Sequence, residues 1–191
     1  MNLENLKNLI KETKGGPINI LIGNSADPAN NHFEILEMLS AFTNESISIY
    51  CPLSYSSDQD YVGLVIHKGQ ELFGDKFIPL TQMMATQEYA KFLNNMDIAV
   101  MNHYRQQGLG NIMPLLYLGK KVYLRSDISS FPFLSKAGCV IFDTCSMNKS
   151  NFASFISITD DDSETNKKAI ERMLSPSHYA DLWNNLFGKH K

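Results

Sequence analysis

The stretch DIAVMNHYRQQGLGN, residues 97–111, decides how this chain folds. It opens with Asp97 to Met101, a short apolar run without polar alternation, the pattern of a parallel strand buried on both faces. It continues into a polar loop with glycines at 108 and 110. It then runs into Leu109 to Leu118, an apolar stretch of helical spacing stopped by Gly119. A strand, a glycine-bearing turn and a helix in that order predict one unit of a parallel sheet with crossover helices.

The same unit recurs on both sides. Upstream, strands are expected at Ile18 to Ile22, Ile47 to Cys51 and Phe77 to Pro79. The helices between them are one capped by Asn30 and carrying Phe33 to Phe42, one over Gln59 to Phe73, and one over Gln87 to Asn94. Downstream, Lys121 to Leu124 and Cys139 to Phe142 read as strands, with Ser130 to Lys136 as a short helix between them. From Lys149 onward the chain reads as polar helices, with the acidic turn Asp160–Asp162 before one and Ser175-Pro176 before the last. Residues 1–14 read as a short amphipathic helix and Gly15-Gly16-Pro17 as a break, so that residues 1–16 form a helix and linker and residues 17–191 a single α/β domain. The expected fold is a Rossmann-like open parallel sheet with helices on both faces, where ligands sit at the carboxyl ends of the strands near the point of strand-order reversal.

Two loops lie at such strand ends and are rich in polar and glycine residues. In the first, Gly23 permits a sharp exit from the strand, and Asn24 and Ser25 offer groups for a phosphate or hydroxyl. In the second, the helix that starts near Gly108 presents free N–H groups and its positive dipole end, a natural anion site. Arg105 adds a guanidinium, and Gln106 and Gln107 can donate and accept toward sugar hydroxyls or a base edge. Ordinary turn and capping chemistry would also account for each loop taken alone. Neither GxxxxGK[ST] nor GxGxxG follows the first strand, so both standard phosphate-loop motifs are excluded. His32 and His103 lie near these loops without a nucleophile beside them. Asp27 before Pro28 suits a turn, and Arg125 and Asp127 can pair with each other. Met83-Met84 suits a core or loop lining.

Composition limits the alternatives. Of 191 residues, 43% are hydrophobic and 19% charged, an ordinary globular balance, and the formal charge of -3 argues against a basic nucleic-acid binder. Cys51, Cys139 and Cys145 are odd in number and lack metal-ligand spacing, which points to reduced thiols in a cytoplasmic setting. No run approaches the length of a membrane span, so any membrane contact is peripheral.

Several of these segments together resemble the bacterial 4-alpha-L-fucosyltransferases, glycosyltransferase family 56, which transfer N-acetylfucosamine from TDP to a lipid-linked saccharide in enterobacterial common antigen assembly. The segments are Ile20-Leu21-Ile22-Gly23-Asn24-Ser25 with Asn31-His32, Pro52-Leu53-Ser54-Tyr55, Arg105-Gln106-Gln107-Gly108-Leu109-Gly110, and Ser175-Pro176. The resemblance implies a GT-B fold of two Rossmann-like domains, of which this chain corresponds to the C-terminal, donor-binding one. It implies a TDP-sugar donor held by Asn24, Ser25, His103, Arg105, Gln106, Gln107, Gly108, Gly110 and Asn111. Arg105, Gly108 and Gly110 would hold the diphosphate. It assigns no metal, no cofactor and no general base. It implies a polyprenyl-diphosphate-linked acceptor bound by a missing or separate N-terminal domain, and a place at the inner face of the plasma membrane. An apolar face left open by that domain would favour a homodimer. The competing expectation is a non-catalytic nucleotide-sugar-binding or partner-docking module.

Overall fold

The computed structural model describes residues 6, 15–54, 58–149 and 151–188. Its strands are β1 (Ile18–Ile22), β2 (Ile47–Pro52), β3 (Phe77–Leu80), β4 (Ile98–Met101), β5 (Lys121–Leu124) and β6 (Phe142–Asp143). Its α-helices are α1 (His32–Leu39), α2 (Gln59–Phe73), α3 (Thr86–Asn94), α4 (Leu109–Tyr117), α5 (Ser130–Lys136), α6 (Phe152–Ile156), α7 (Asp160–Met173) and α8 (Pro176–Phe187). The helix expected over residues 1–14 lies outside the described residues except for Leu6, which is helical and buried.

All neighbouring strands pair in parallel, in the order β3-β2-β1-β4-β5-β6. β1 and β4 are thus adjacent at the centre while the chain builds outward on either side of them. Their carboxyl ends flank the crevice that strand-order reversal opens. The register of Leu21 with Ala99 and Ile22 with Val100 brings both strand ends to the same level.

β1 shows why the sheet is sandwiched. Ile20 and Ile22 belong to one core with β2, α1, α2 and α6, whereas Leu21 packs in a second core with α3, α4 and α7. Strand side chains alternate between faces, so a strand whose apolar residues point both ways must be covered twice. In the first core Phe155 of α6 stacks on Phe42 and Tyr123, with ring centroids 4.9 and 5.3 Å away.

Three local expectations are corrected. The sixth strand runs over Phe142–Asp143 rather than Cys139 to Phe142, because Asn166 of α7 takes both backbone groups of Val140, at 2.7 and 3.0 Å. Asn30 does not cap α1. It sits in a 3-10 turn, Pro28–Asn30, and α1 follows Asn31, whose backbone is left-handed at φ 58°. Asp160–Asp162 form the first turn of α7 itself, behind a Thr159–Asp162 capping box, where three carboxylates favour the positive end of the helix dipole.

Candidate functional site

The exit of β1 is fixed by backbone geometry. Gly23 has φ +63°, and a Cβ there would lie 2.6 Å from His32 Nε2 and 2.9 Å from Asn30 Oδ1, so only glycine fits. Its N–H donates to the Val100 carbonyl at 3.1 Å, which ties the exit of β1 to β4.

Beyond it, the fully buried Asn30 knots the two central loops together. Its Oδ1 accepts from the Asn24 backbone N–H at 2.9 Å and lies 2.9 Å from His103 Nε2. Its Nδ2 donates to the Asp27 carbonyl at 2.8 Å and to Ser25 Oγ at 3.3 Å. Because Oδ1 is an acceptor for a backbone amide, the imidazole must present Nε2–H to it, and that fixes the His103 tautomer. Burial depresses His103 to about 4, and it depresses His32 to about 4 with the neighbouring His103 adding to the effect. Both rings are therefore neutral at pH 7. His32 Nδ1 meets the Tyr61 hydroxyl at 2.9 Å, and burial raises that phenol to about 12.

The loop after β4 closes on the first loop. Gly108, at φ +72°, is the N-cap residue of α4, and no side chain caps that helix. A Cβ on Gly108 would lie 2.8 Å from His103 Cε1 and 3.5 Å from Asn24 Cγ, so the two turns touch. Asn111 and Ile112 donate to the Gly108 carbonyl at 2.8 and 2.9 Å, and helix geometry leaves the Leu109 and Gly110 amides without an intrahelical acceptor. Pro114, inside α4, lacks the N–H that would bond the Gly110 carbonyl.

Gly110 and Asn111, in the first turn of α4, line a cleft of about 350 Å³. It is lined by Asn24 after β1, Gly110 and Asn111 of α4, Pro52, Ser54 and Leu80 at the ends of β2 and β3, and Gln82, Met83, Met84, Thr86 and Tyr89 beyond β3. The Asn24 Oδ1 atom is buried and has no hydrogen-bond partner among the described residues.

The residues singled out in the sequence thus occupy different places. Asn24, Gly110 and Asn111 line the cleft. Ser25 accepts from Asn30, and Gly108 and buried His103 form the junction between the loops. Arg105 lies on the rim with 64% of its side chain exposed, ion-paired to Asp27 and donating through Nε to Gln107 Oε1 at 3.1 Å. Gln106 lines a separate cavity beside Leu109, and Gln107 Nε2 is buried without a partner among the described residues. Asp27 forms the expected turn, with Oδ1 accepting from Ala29 N at 2.8 Å, a bond that chiefly holds its carboxyl below the ordinary range.

The loop after β5 is tied to its neighbours. Arg125 pairs with Asp127 through two bonds of 2.9 and 2.7 Å, lies 4.7 Å over the Tyr104 ring, and reaches Glu34 at 3.5 Å. Sequence reasoning missed Asn30 as a knot, and it missed the cleft residues Gln82, Thr86 and Tyr89. The signal for the latter was their place just beyond the carboxyl end of β3. Among the described residues no group of three or more His, Cys, Asp and Glu side chains is arranged to hold a metal ion. Among them, too, no helix is long and apolar enough to cross a membrane.

The sequence profile of the 4-alpha-L-fucosyltransferases, glycosyl transferase group 56, matches residues 1–186. Among solved structures, a glycosyltransferase from Rickettsia africae superposes with a TM-score of 0.75 at 12% identity, covering 100% of this chain and 56% of that one. A trehalose-6-phosphate structure from E. coli, bound with UDP-2-fluoro glucose, superposes with a TM-score of 0.66 at 11% identity, covering 91% and 44%. The C-terminal domain of a glycosyl transferase group 1 family protein from Francisella tularensis gives a TM-score of 0.59 at 12% identity, with 82% of each chain covered. At these identities the likeness is one of fold, and it is to the Rossmann-like domains of GT-B glycosyltransferases. The chain spans about half the length of the longer structures it matches. It belongs to glycosyltransferase family 56.

Proposed function

We propose that this chain is the donor-binding half of a glycosyltransferase that transfers an N-acetylfucosamine-like deoxysugar from TDP to a polyprenyl-diphosphate-linked saccharide in cell-surface polysaccharide synthesis. The observation that carries the reading is the N-terminus of α4, which has no side-chain cap at Gly108 and whose first turn lines, through Gly110 and Asn111, the cleft at the strand-order reversal. A diphosphate there accepts from the Leu109 and Gly110 amides and meets the positive end of the helix dipole. The nucleoside extends along the cleft toward Met84 and Tyr89, and the sugar lies at the mouth. An acceptor hydroxyl attacks the anomeric carbon as its bond to the diphosphate oxygen breaks, so negative charge grows on the leaving group. Amides already aimed at that charge stabilise the transition state more than the ground state.

Membership of family 56 supports the donor and acceptor classes. The acceptor, carried on a lipid, is bound by a second domain at the inner face of the plasma membrane, with this chain in peripheral contact.

The reading is tested by thermal unfolding with and without TDP. A ligand held only by the folded state at about 100 times its Kd adds about 2.7 kcal/mol, or roughly 5–10 °C for a domain of this size. Arg105→Ala should weaken TDP binding about fivefold. A melting temperature unmoved by millimolar TDP would remove the proposal's main support.

A further inference from the structure

Behind the first turn of α4, His103 is wholly buried, and its two ring nitrogens have unlike settings. Asn30 fixes one of them. Its Oδ1 already accepts from the Asn24 amide and its Nδ2 already donates to the Asp27 carbonyl, so this side chain cannot be turned over and Nε2 of the ring must carry a hydrogen. Nδ1 of the neutral ring is then an acceptor, and it has no hydrogen-bond partner among the described residues. The Gln107 backbone lies beside it and favours the protonated ring, which a backbone group does through its carbonyl. Two acceptors thus flank a ring that holds one hydrogen. The imidazolium would satisfy both, and the cost of burying its charge is what keeps the ring neutral.

The ring also backs the helix end. Cε1, the carbon between the two nitrogens, is the atom that a Cβ on Gly108 would meet, at 2.8 Å. An anion at the start of α4 therefore stands across one turn of chain from the ring. Of the other neighbours, Asp27 favours the charged ring and Arg105 opposes it, while His32 and, beyond it, Tyr61 are neutral at pH 7.

We infer that His103 is a positioning residue that takes up a proton from solvent when a diphosphate docks on α4 and returns it when the diphosphate leaves. The inference rests on the proposed function, since it needs an anion at that helix end. The proton goes to Nδ1, whose N–H then donates to the Gln107 carbonyl, in the peptide that leads into Gly108. The ring does not touch the ligand. Its new bond steadies the turn, and its charge adds to the positive end of the helix dipole while the site is filled. In the empty site the same ring is uncharged, so no buried cation has to be carried without its counter-ion.

The test follows the imidazole resonances of the wild-type chain by NMR from pH 8 to 5, with and without saturating TDP. Alone, His103 should stay almost wholly neutral over that range. With TDP bound it should titrate near about 7, a rise of the size that close opposite charges produce. His32, which lies against Gly23 rather than α4, should stay neutral in both. His103→Gln keeps a donor for Asn30 but cannot take the charge. Its loss of TDP affinity relative to the wild type should be about tenfold greater at pH 6 than at pH 8, as a bound-state value near 7 requires. A purely structural role would give the same loss at both. If TDP binds while His103 stays neutral down to pH 5, or if the variant loses equally at the two pH values, the inference is overturned while the donor-binding reading stands. If TDP moves neither the resonances nor the melting temperature, both fall.

Discussion

The two rims of the sheet use polar groups in opposite ways. At the rim where the strands begin, they close on the protein. Lys121 is 2% exposed, donates from Nζ to the Ser154 and Ser157 carbonyls at 2.6 and 2.7 Å, and lies 4.1 Å over the Phe142 ring. Lys76 donates to the Thr43 and Glu45 carbonyls at 2.6 and 2.7 Å, and Lys120 to that of Asn94 at 2.6 Å. The N-terminus of α7 is shut by its capping box. At the rim where the strands end, no side chain among the described residues caps α4, and Asn24 Oδ1, Gln107 Nε2 and Ser130 Oγ are buried without partners among those residues. Most buried polar groups in folded proteins are satisfied internally. A rim that withholds its bonds while the other completes them is the one built for a ligand.

The largest expected effect comes from filling the junction of the open rim. Gly23→Val forces a branched side chain into left-handed backbone and onto His32 and Asn30, and should cost about 3 kcal/mol or more in urea unfolding. Gly119, at the closed rim, shares a positive φ of +70°, but a Cβ there meets only Ser163 Cβ at 3.1 Å and its hydroxyl at 3.4 Å. Gly119→Ala should cost about 1 kcal/mol, mostly backbone strain. Equal losses at the two positions would mean that the junction is no tighter than an ordinary helix end.

Acid should loosen the same junction. His32 and His103 are held near 4 in the folded chain against an ordinary 6.5. Between those values the unfolded chain binds more protons, so stability is fully present above about pH 6.5 and falls as pH drops toward 4, by up to ~3 kcal/mol for one ring. Urea midpoints at pH 7.5, 6 and 5 should decline for the wild type and decline less for His103→Asn. Parallel slopes would show that the ring does not titrate in this way.

Lys121→Met should keep the stem packing, strand two carbonyls and cost about 2 kcal/mol, yet leave TDP affinity within twofold. A large loss of TDP binding would erase the division between a rim for stability and a rim for ligand.

That division was only half legible in the sequence. The strands declared themselves as short, mainly apolar runs, and the helices because their apolar spacing ends at Gly74 or Gly119. Asn24, Gly110 and Asn111 were found because strand ends and glycines mark the ligand edge of a parallel sheet. Asn30 read as a helix cap, since a local rule cannot see that its oxygen meets a ring 73 residues away. Arg105 read as a guanidinium for a ligand, and its pairing with Asp27 went unseen because the two are 78 residues apart. The far wall of the cleft, Met84 to Tyr89, became visible only when the ends of β2 and β3 were placed beside β1.

The smallest change in stability should carry the sharpest functional signal. Asp27 holds Arg105 at the open rim, and both side chains are largely accessible, 37% and 64% exposed, so the pair itself stabilises the fold by less than about 1 kcal/mol. Asp27→Asn retains an oxygen for the Ala29 amide and removes the charge that occupies the guanidinium. The variant should unfold within about 1 kcal/mol of the wild type but bind TDP a few-fold more tightly, and its affinity should fall more steeply with added salt, because a released cation now faces the anion. Weaker binding instead would mean that Asp27 orients Arg105 toward the ligand rather than competing for it, and the ion pair would then belong to the site as a unit.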